Sequence, residues 1–173
     1  MYPEARLEFE SLRNDYRLDV INTFRLMKTF LDHGFYTSAI QASESILQLT
    51  GYSDPAVADQ VPAYFYLSRY GAYYLPWVQA AAETYDVPIL LLFSVIYQES
   101  RFQAYVESSA GAQGLMQLMP ATAAQIASEI NYPPNFSEED LVVPLYNLML
   151  GTNYLSRQLD RKSTRLNSSH GKL

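Results

Sequence analysis

The sequence predicts an all-α protein, because apolar residues recur at helical spacing along most of the 173-residue chain and no strand pattern of useful length interrupts them. Prolines and glycines separate these segments at positions where helices typically begin and end. The composition agrees, since 49% of the residues are hydrophobic, which is sufficient for a real core. The length fits one ordinary domain, or a small domain with an appended segment.

Two helices are predicted before residue 50. Apolar residues at spacings of three and four predict one long helix over residues 5–31, and the stretch DHGF ends it with a glycine suited to a left-handed cap. A second helix is predicted over residues 36–49, with small residues on one face that would allow the two helices to pack as a hairpin. We therefore assign residues 1–70 to a helical N-terminal segment and linker.

The second half of the chain predicts a separate helical domain. Helices are expected to start near Pro76, Pro88 and Pro120, and a last helix leads up to residue 159. We assign residues 71–159 to this domain. Residues 160–173 are polar and lack apolar periodicity, so we expect a disordered tail that is a candidate for a non-native extension.

Charge and composition exclude several classes of partner and chemistry. The formal net charge is −6, and the last thirteen residues carry four cations and no acid, so the body of the chain is acidic. This argues against nucleic acid and against an anionic membrane surface as partner. No apolar run is long enough to insert across a bilayer, and the absence of cysteine excludes thiol catalysis. Neither histidine has neighbours suited to a metal site, and no metal or other cofactor is expected.

Glu99 is the candidate catalytic residue. It lies at the end of a strongly apolar helix, on the same face as Leu92, Val95 and Ile96. A carboxylate on an apolar stripe loses hydration, which favours the protonated acid that general-acid catalysis needs. The alternative is a fraying helix end whose glutamate simply reaches water, which is the more common situation for a lone glutamate.

The loop that follows this helix carries groups suited to a ligand. Gly111 and Gly114 permit positive φ or close approach of the backbone, while Ser108 and Gln117 offer neutral hydrogen-bonding groups. Met119 offers adaptable apolar surface. This set suits a polar, uncharged ligand that bears hydroxyl and amide groups, such as a carbohydrate. A turn with a buried segment behind it stays open as the alternative on composition alone.

The same stretch resembles the motif of the soluble lytic transglycosylases, members of the goose-type, lysozyme-like superfamily. With every spacing kept, the matching residues are Glu99, Ser100, Phe102, Ser108, Gly111 and the run Gly114-Leu115-Met116-Gln117-Leu118-Met119-Pro120. A second family element, Asn-x-x-x-Gly-x-x-Tyr-Leu, resembles Asn147, Gly151, Tyr154 and Leu155. The resemblance covers roughly residues 72–159. The earlier helices resemble the end of the α-superhelix that precedes the catalytic domain in larger members.

The resemblance implies a lysozyme-like catalytic domain that cleaves the β-1,4 bond between N-acetylmuramic acid and N-acetylglucosamine in peptidoglycan without water. Glu99 would protonate the leaving oxygen and then take the proton of the C6 hydroxyl, giving a 1,6-anhydro sugar. Ser108, Gly114 and Gln117 would bind the glycan or position Glu99, and Met119 would line the cleft. The implied location is the bacterial cell envelope or the exterior, although no signal peptide is visible in this chain.

One element of the family pattern is missing. In the family, an Ala-Tyr-Asn-Ala-Gly-like motif follows the last matched helix and supplies a tyrosine to the cleft, whereas here the polar tail begins at about residue 160. We therefore expect an incomplete catalytic domain, an internal fragment of a larger exported enzyme, with weak or no activity and marginal stability. Robust turnover of peptidoglycan by the purified chain would contradict this expectation.

Two other functions stay open. A hydrolytic lysozyme- or chitinase-like glycosidase would need a second carboxylate facing Glu99 and would release reducing rather than anhydro ends. We do not assign Glu107 this role, because a solvated loop position is expected there. A helical-repeat interaction module would rest on the hairpin before residue 50, which is too small to bury a solenoid core.

Overall fold

The computed structural model describes residues 3–170, without the side chains of residues 3–6, 55, 58 and 162–170. Within that range no strand forms. The extended backbone pairing there consists of two isolated β-bridges, Glu107 with Gln113 and Gln113 with Leu118. The all-α prediction is confirmed. The α-helices are α1 (Pro3–Asp15), α2 (Val20–Asp32), α3 (Tyr36–Leu49), α4 (Ala63–Arg69), α5 (Leu75–Tyr85), α6 (Ile89–Ser100), α7 (Pro120–Ile130) and α8 (Pro144–His170), with 3-10 helices at Pro55–Gln60 and Glu138–Val142.

The chain divides into two compact units between Tyr73 and Tyr74. In the first unit α2 and α3 form a helical hairpin, and α1 and α4 pack against α3. Its core comprises Met27, Phe30, Ala39, Ala42 and Ile46. The predicted second helix is confirmed as α3, and Gly34 adopts the expected positive φ, 75°, in the turn before it.

The prediction of one long helix over residues 5–31 is wrong, because α1 ends at Asp15 and α2 begins at Val20. The carboxylate of Asp19 accepts hydrogen bonds from the Asn22 backbone N–H at 3.0 Å and from its side chain at 2.7 Å. These bonds cap α2, and they hold the pKa of Asp19 below its ordinary value. Apolar spacing alone did not reveal the break, since an aspartate N-cap acts through its backbone contacts.

In the second unit α8 packs against α5, α7 and the second 3-10 helix, while α6 packs against α5. One core cluster comprises Leu118, Ala123, Ile126, Ala127, Leu141 and Leu150. The strongly apolar α6 is not buried on every side, since Leu92 and Ile96 are buried but Leu90 is 76% exposed. An apolar sequence does not determine how many sides of a helix find neighbours. None of the helices in the described range is both long enough and apolar enough to cross a membrane.

The backbone of α8 continues through His170, where the lack of apolar periodicity predicted disorder. Residues 161–170 contain no proline and no glycine, so nothing in this stretch forces the helix to end. Residues 171–173 of the predicted tail lie outside the described residues. That the tail is foreign to the domain stays a prediction.

Tyr73 is the last residue of the first unit, and its side chain packs back onto that unit. Its hydroxyl donates to the Ser68 carbonyl at 2.6 Å, and its ring stacks on Tyr36 with 4.1 Å between centroids. Burial raises the pKa of Tyr73 to about 12, and the neighbouring Tyr36 and Tyr64 add to the shift.

We predict that Tyr73→Phe lowers the free energy of unfolding by about 1 kcal/mol at neutral pH, because it removes the hydrogen bond to Ser68. The wild-type chain should also lose stability as the pH rises from about 10 to about 12, since the unfolded tyrosine ionises before the folded one. Chemical denaturation at several pH values measures both effects. The exposed Tyr52→Phe is the control, and an equal alkaline loss in Tyr73→Phe would contradict the assignment.

Candidate active site

Glu99 lies in the last turn of α6 and is exposed to solvent. The expectation that it is desolvated on the apolar stripe is therefore wrong for the free chain. Leu92 and Ile96 are fully buried, and the buried row continues at Ser100, whose hydroxyl donates to the Ile96 carbonyl at 3.1 Å. Glu99 follows Ile96 by three residues and shares that face of the helix, but it lies in the last turn, where it is exposed. Its catalytic role stays a prediction.

Phe102 determines the direction in which the chain leaves α6. Its φ is 64°, an unfavourable backbone conformation for a residue with a large side chain. Its ring is 3% exposed and contacts Phe93 and Tyr97, with centroids 6.2 and 6.4 Å away. Burial of the ring offsets the backbone cost, and the chain after Glu99 is thereby fixed to α6.

Residues 101–119, which we call the site loop, fold back on themselves in a double turn. The Gly114 N–H donates to the Val106 carbonyl at 2.9 Å. Gln113 and Leu118 exchange both backbone hydrogen bonds, at 2.9 and 3.0 Å. The loop therefore has a specific geometry held by its own backbone.

Ser108 closes the first turn of the site loop. Its backbone N–H donates to the Ala112 carbonyl at 2.8 Å, and its hydroxyl oxygen accepts from the Ala112 N–H at 3.0 Å. The residue is half-buried. Because a hydroxyl also carries a donor hydrogen, Ser108 can hold the turn and donate to a ligand at the same time.

Gln117 is bonded to the same loop. Its φ is 47°, and its Nε2 donates to the Gly114 carbonyl at 3.0 Å and to the Val106 carbonyl at 3.2 Å. Both hydrogens of the side-chain amide are thus directed at the loop backbone. The carbonyl oxygen Oε1 of Gln117 is then the atom suited to accept a hydrogen bond from a ligand.

Asn147 on α8 is the residue that sequence reasoning did not single out for this site. It is fully buried, and its Nδ2 donates to the carbonyls of Gln113 and Leu141, each at 2.9 Å. Its Oδ1 accepts from the Met116 N–H at 2.8 Å. The available signal was a polar residue beside the buried apolar positions of a helix, within the Asn-x-x-x-Gly element.

Two glycines allow the site loop and α8 to approach closely. A Cβ on Gly114, whose φ is 78°, would overlap the Asn147 amide and the Leu141 carbonyl. A Cβ on Gly151 of α8 would lie 2.6 Å from Sδ of Met116. Gly114 is therefore part of the packing between loop and helix, in addition to its predicted part in substrate binding.

Leu115, Met116 and Leu118 anchor the site loop in the core, since all three are buried. Met119 is 43% exposed at the start of α7. Its predicted part in a cleft stays a prediction.

Gln113 and Glu107 are two further polar residues of the site loop. Nε2 of Gln113 donates to Oε1 of Glu138 at 2.7 Å, so this amide supports the loop. Glu107 is exposed, as expected for a solvated position. The hydrogen bonds described above join the segments that carry Ser108, Gly114 and Gln117, whereas Glu99 is connected to them through the chain and the buried Phe102.

Comparison with known proteins gives a consistent family. A family model described as "Transglycosylase SLT domain" matches residues 76–169. A Haemophilus influenzae protein named as a soluble lytic murein transglycosylase is 33% identical over 131 residues, which is 75% of this chain and 22% of that protein. The membrane-bound lytic murein transglycosylase C of Yersinia enterocolitica is 36% identical over 84 residues, 48% of this chain and 24% of that protein.

Solved structures show the same fold. The lytic transglycosylase Slt of Pseudomonas aeruginosa, solved as an inactive mutant with glutamine in place of a glutamate, has a TM-score of 0.65 and 26% identity, covering 85% of this chain and 21% of that one. The 70-kDa soluble lytic transglycosylase of Escherichia coli has a TM-score of 0.63 and 22% identity, covering 87% of this chain and 24% of that one. The chain thus spans less than a quarter of each of these two proteins.

We predict that Gly114→Ala is far more destabilising than Gly111→Ala. Both glycines have positive φ, 78° and 83°, so each substitution should cost about 1–2 kcal/mol of backbone strain. A Cβ on Gly111 meets nothing within 4 Å, whereas one on Gly114 overlaps Asn147, which should add about 1–3 kcal/mol. Equal free energies of unfolding for the two variants in chemical denaturation would contradict the close packing at Gly114.

Proposed function

Because the chain belongs to the family of transglycosylase SLT domains, we propose that it is the acid-bearing part of a lytic transglycosylase. Its substrate would be the glycan strand of peptidoglycan, cleaved between N-acetylmuramic acid and N-acetylglucosamine. The observation that carries the proposal is the position of Glu99: it is exposed at the end of α6, directly before a loop in which Ser108 and Gln117 are held by backbone hydrogen bonds.

The proposed reaction needs one carboxylic acid. Glu99 donates its proton to the leaving glycosidic oxygen as the bond to C1 of the muramic acid breaks, and the substrate's 2-acetamido group stabilises the positive centre. The resulting carboxylate then accepts the proton of the C6 hydroxyl, whose oxygen bonds to C1. The sum is cleavage with an intramolecular 1,6-anhydro bond and no water consumed.

Exposure of Glu99 sets a requirement on this mechanism. Because Glu99 is exposed in the free chain, glycan binding has to exclude water from its carboxylate before the proton is transferred. Leu92 and Ile96 are buried on the face of α6 that Glu99 shares, and a sugar ring over the exposed carboxylate would exclude water from it. The acid is thus prepared by its substrate.

The site loop offers neutral partners to a glycan. Ser108 retains a donor hydrogen and Gln117 an acceptor oxygen, and these complement the acetamido and hydroxyl groups of the two sugars. Met119 offers exposed apolar surface for a sugar face. The inactive glutamate-to-glutamine mutant of the Pseudomonas aeruginosa Slt supports a required glutamate in proteins of this fold.

Organisation and location follow from the same proposal. Residues 71–159 would be the catalytic part and residues 1–70 the end of a helical region that precedes it, consistent with the 85% of the chain covered by the Pseudomonas aeruginosa structure. Because peptidoglycan lies outside the cytoplasmic membrane, the protein would act in the bacterial cell envelope. Peptidoglycan strands would be its partner, with no nucleic acid involved.

We predict that Glu99→Gln abolishes glycan cleavage and leaves glycan binding in place. Because the expected activity of the chain is weak, loss of the acid should bring product release from purified peptidoglycan below detection, since general acid catalysis typically contributes about 10²–10⁴-fold. Mass spectrometry of long incubations measures products, and cosedimentation with peptidoglycan measures binding. Glu107→Gln is the matched control, since it makes the same change at an exposed carboxylate of the site loop.

The product ends decide between the proposal and its rival. Anhydro ends from the wild-type chain that vanish in Glu99→Gln support the transglycosylase. Reducing ends, with loss of activity in Glu107→Gln as well, would identify a hydrolase with two carboxylates. A chain that neither cleaves nor binds peptidoglycan would refute the proposed function.

A further inference from the structure

We propose that Asn147 is a positioning residue: from within the core it fixes the site loop so that Gln117 is presented to the glycan. This inference rests on the proposed function for the identity of the ligand. The coupling between Asn147 and Gln117 rests on the structure alone. Asn147 itself is fully buried, so its side chain is not placed to contact a ligand directly.

Asn147 makes three hydrogen bonds to backbone groups. Its Nδ2 donates to the carbonyls of Gln113 and Leu141, and its Oδ1 accepts from the Met116 N–H. Two carbonyls face the amide nitrogen and one N–H faces the amide oxygen, so the orientation of the side chain is unambiguous. One side chain thereby holds the turn Gln113–Met116 from both of its ends.

Hydrogen bonds connect the turn Gln113–Met116 to Gln117. The Gly114 carbonyl, inside the turn, accepts from both the backbone N–H and the Nε2 of Gln117, at 3.2 and 3.0 Å. The Val106 carbonyl accepts from Gly114 N–H and from Gln117 Nε2. A shift of the turn therefore moves both acceptors of the Gln117 amide.

The helix that carries Asn147 packs closely against the site loop. One turn later on α8, Gly151 lies directly against Met116, and the Thr152 hydroxyl contacts Sδ of Met116 at 3.8 Å. Asn147, Gly151 and Thr152 are all buried. The site loop therefore packs against this face of α8. The positions of Asn147 and Gly151 along the helix determine where the turn lies.

An asparagine fits position 147 because its side chain supplies both the donor hydrogens and the acceptor oxygen that the three bonds need. Aspartate keeps the acceptor but has no hydrogen for the two carbonyls, and alanine has neither group. A substitution at position 147 removes the partner of the Met116 N–H and one hydrogen bond from each of the Leu141 and Gln113 carbonyls, although Gln113 keeps its bond from the Leu118 N–H. The buried groups that lose a partner favour a shift of the turn toward water.

The first experiment observes Gln117 directly by NMR of the 15N-labelled chain. Its side-chain amide signals are assigned by their loss in Gln117→Met. In Asn147→Ala we expect these signals to move toward those of the exposed Gln98 and to exchange faster with solvent. Asn153→Ala is the matched control, because Asn153 is a buried asparagine on the same helix that bonds Tyr85 instead of the loop.

The second experiment measures affinity for soluble peptidoglycan glycan strands in the Glu99→Gln background, where no turnover interferes. Adding Asn147→Ala should weaken binding about tenfold, equivalent to one lost hydrogen bond of ordinary strength. Adding Asn153→Ala should change it by less than about twofold, although both lower the unfolding temperature.

A second variant guards against failure of Asn147→Ala to fold. Gly151→Ala keeps Asn147 but inserts a methyl group 2.6 Å from Sδ of Met116, which has to displace the turn. It should move the Gln117 signals while the helix gains intrinsic propensity.

Unchanged Gln117 signals in folded Asn147→Ala or Gly151→Ala would overturn the proposal, as would an equal loss of affinity in Asn153→Ala. If the Glu99→Gln chain bound no glycan at all, the proposed function and the substrate part of this inference would fail together. The NMR comparison would still decide whether Asn147 positions Gln117.

Discussion

The hydrogen bonds of one buried amide are the constraint on which the candidate site depends. Asn147 donates to the carbonyls of Gln113 and Leu141 and accepts from the Met116 N–H, so one side chain joins the site loop to the second 3-10 helix. Helices satisfy their own backbone groups, but a loop packed into a core has to borrow partners from elsewhere. The absence of a side chain at Gly114 and Gly151 is the other half of the arrangement, because each permits the approach that these bonds require.

Local patterns predicted the fold, and nonlocal contacts limited the prediction. Gly34, Pro120 and the apolar spacing of α3 indicated helix boundaries correctly because each acts within a few residues of itself. The break before α2 was missed, since the Asp19 cap interrupts a helix without disturbing the spacing of its apolar residues. The exposure of Leu90 could not be predicted either, because it depends on which neighbours the rest of the chain provides.

The candidate site divides in the same way. The sequence identified Glu99, Ser108, Gly114, Gln117 and Met119 as a chemically coherent set, because motif spacing is a local property. It could not show that Glu99 is hydrated, that Gln117 bonds the loop or that Gln113 bonds Glu138, because these depend on tertiary contacts. Asn147 was part of the family pattern, but its hydrogen bonds to the site loop could not be predicted without the position of α8 in the structure.

The hydrogen bonds between Asn147 and the site loop also depend on the order in which the chain is synthesised. A ribosome makes Gln113 and Met116 before Asn147, which follows them by 34 and 31 residues. During that interval the site loop lacks the side chain that holds its turn. Closing a segment of this length costs conformational entropy before any bond is formed. The acid at the end of α6 is therefore made early, and the surface that would bring a glycan to it is completed only when the last helix has emerged and packed.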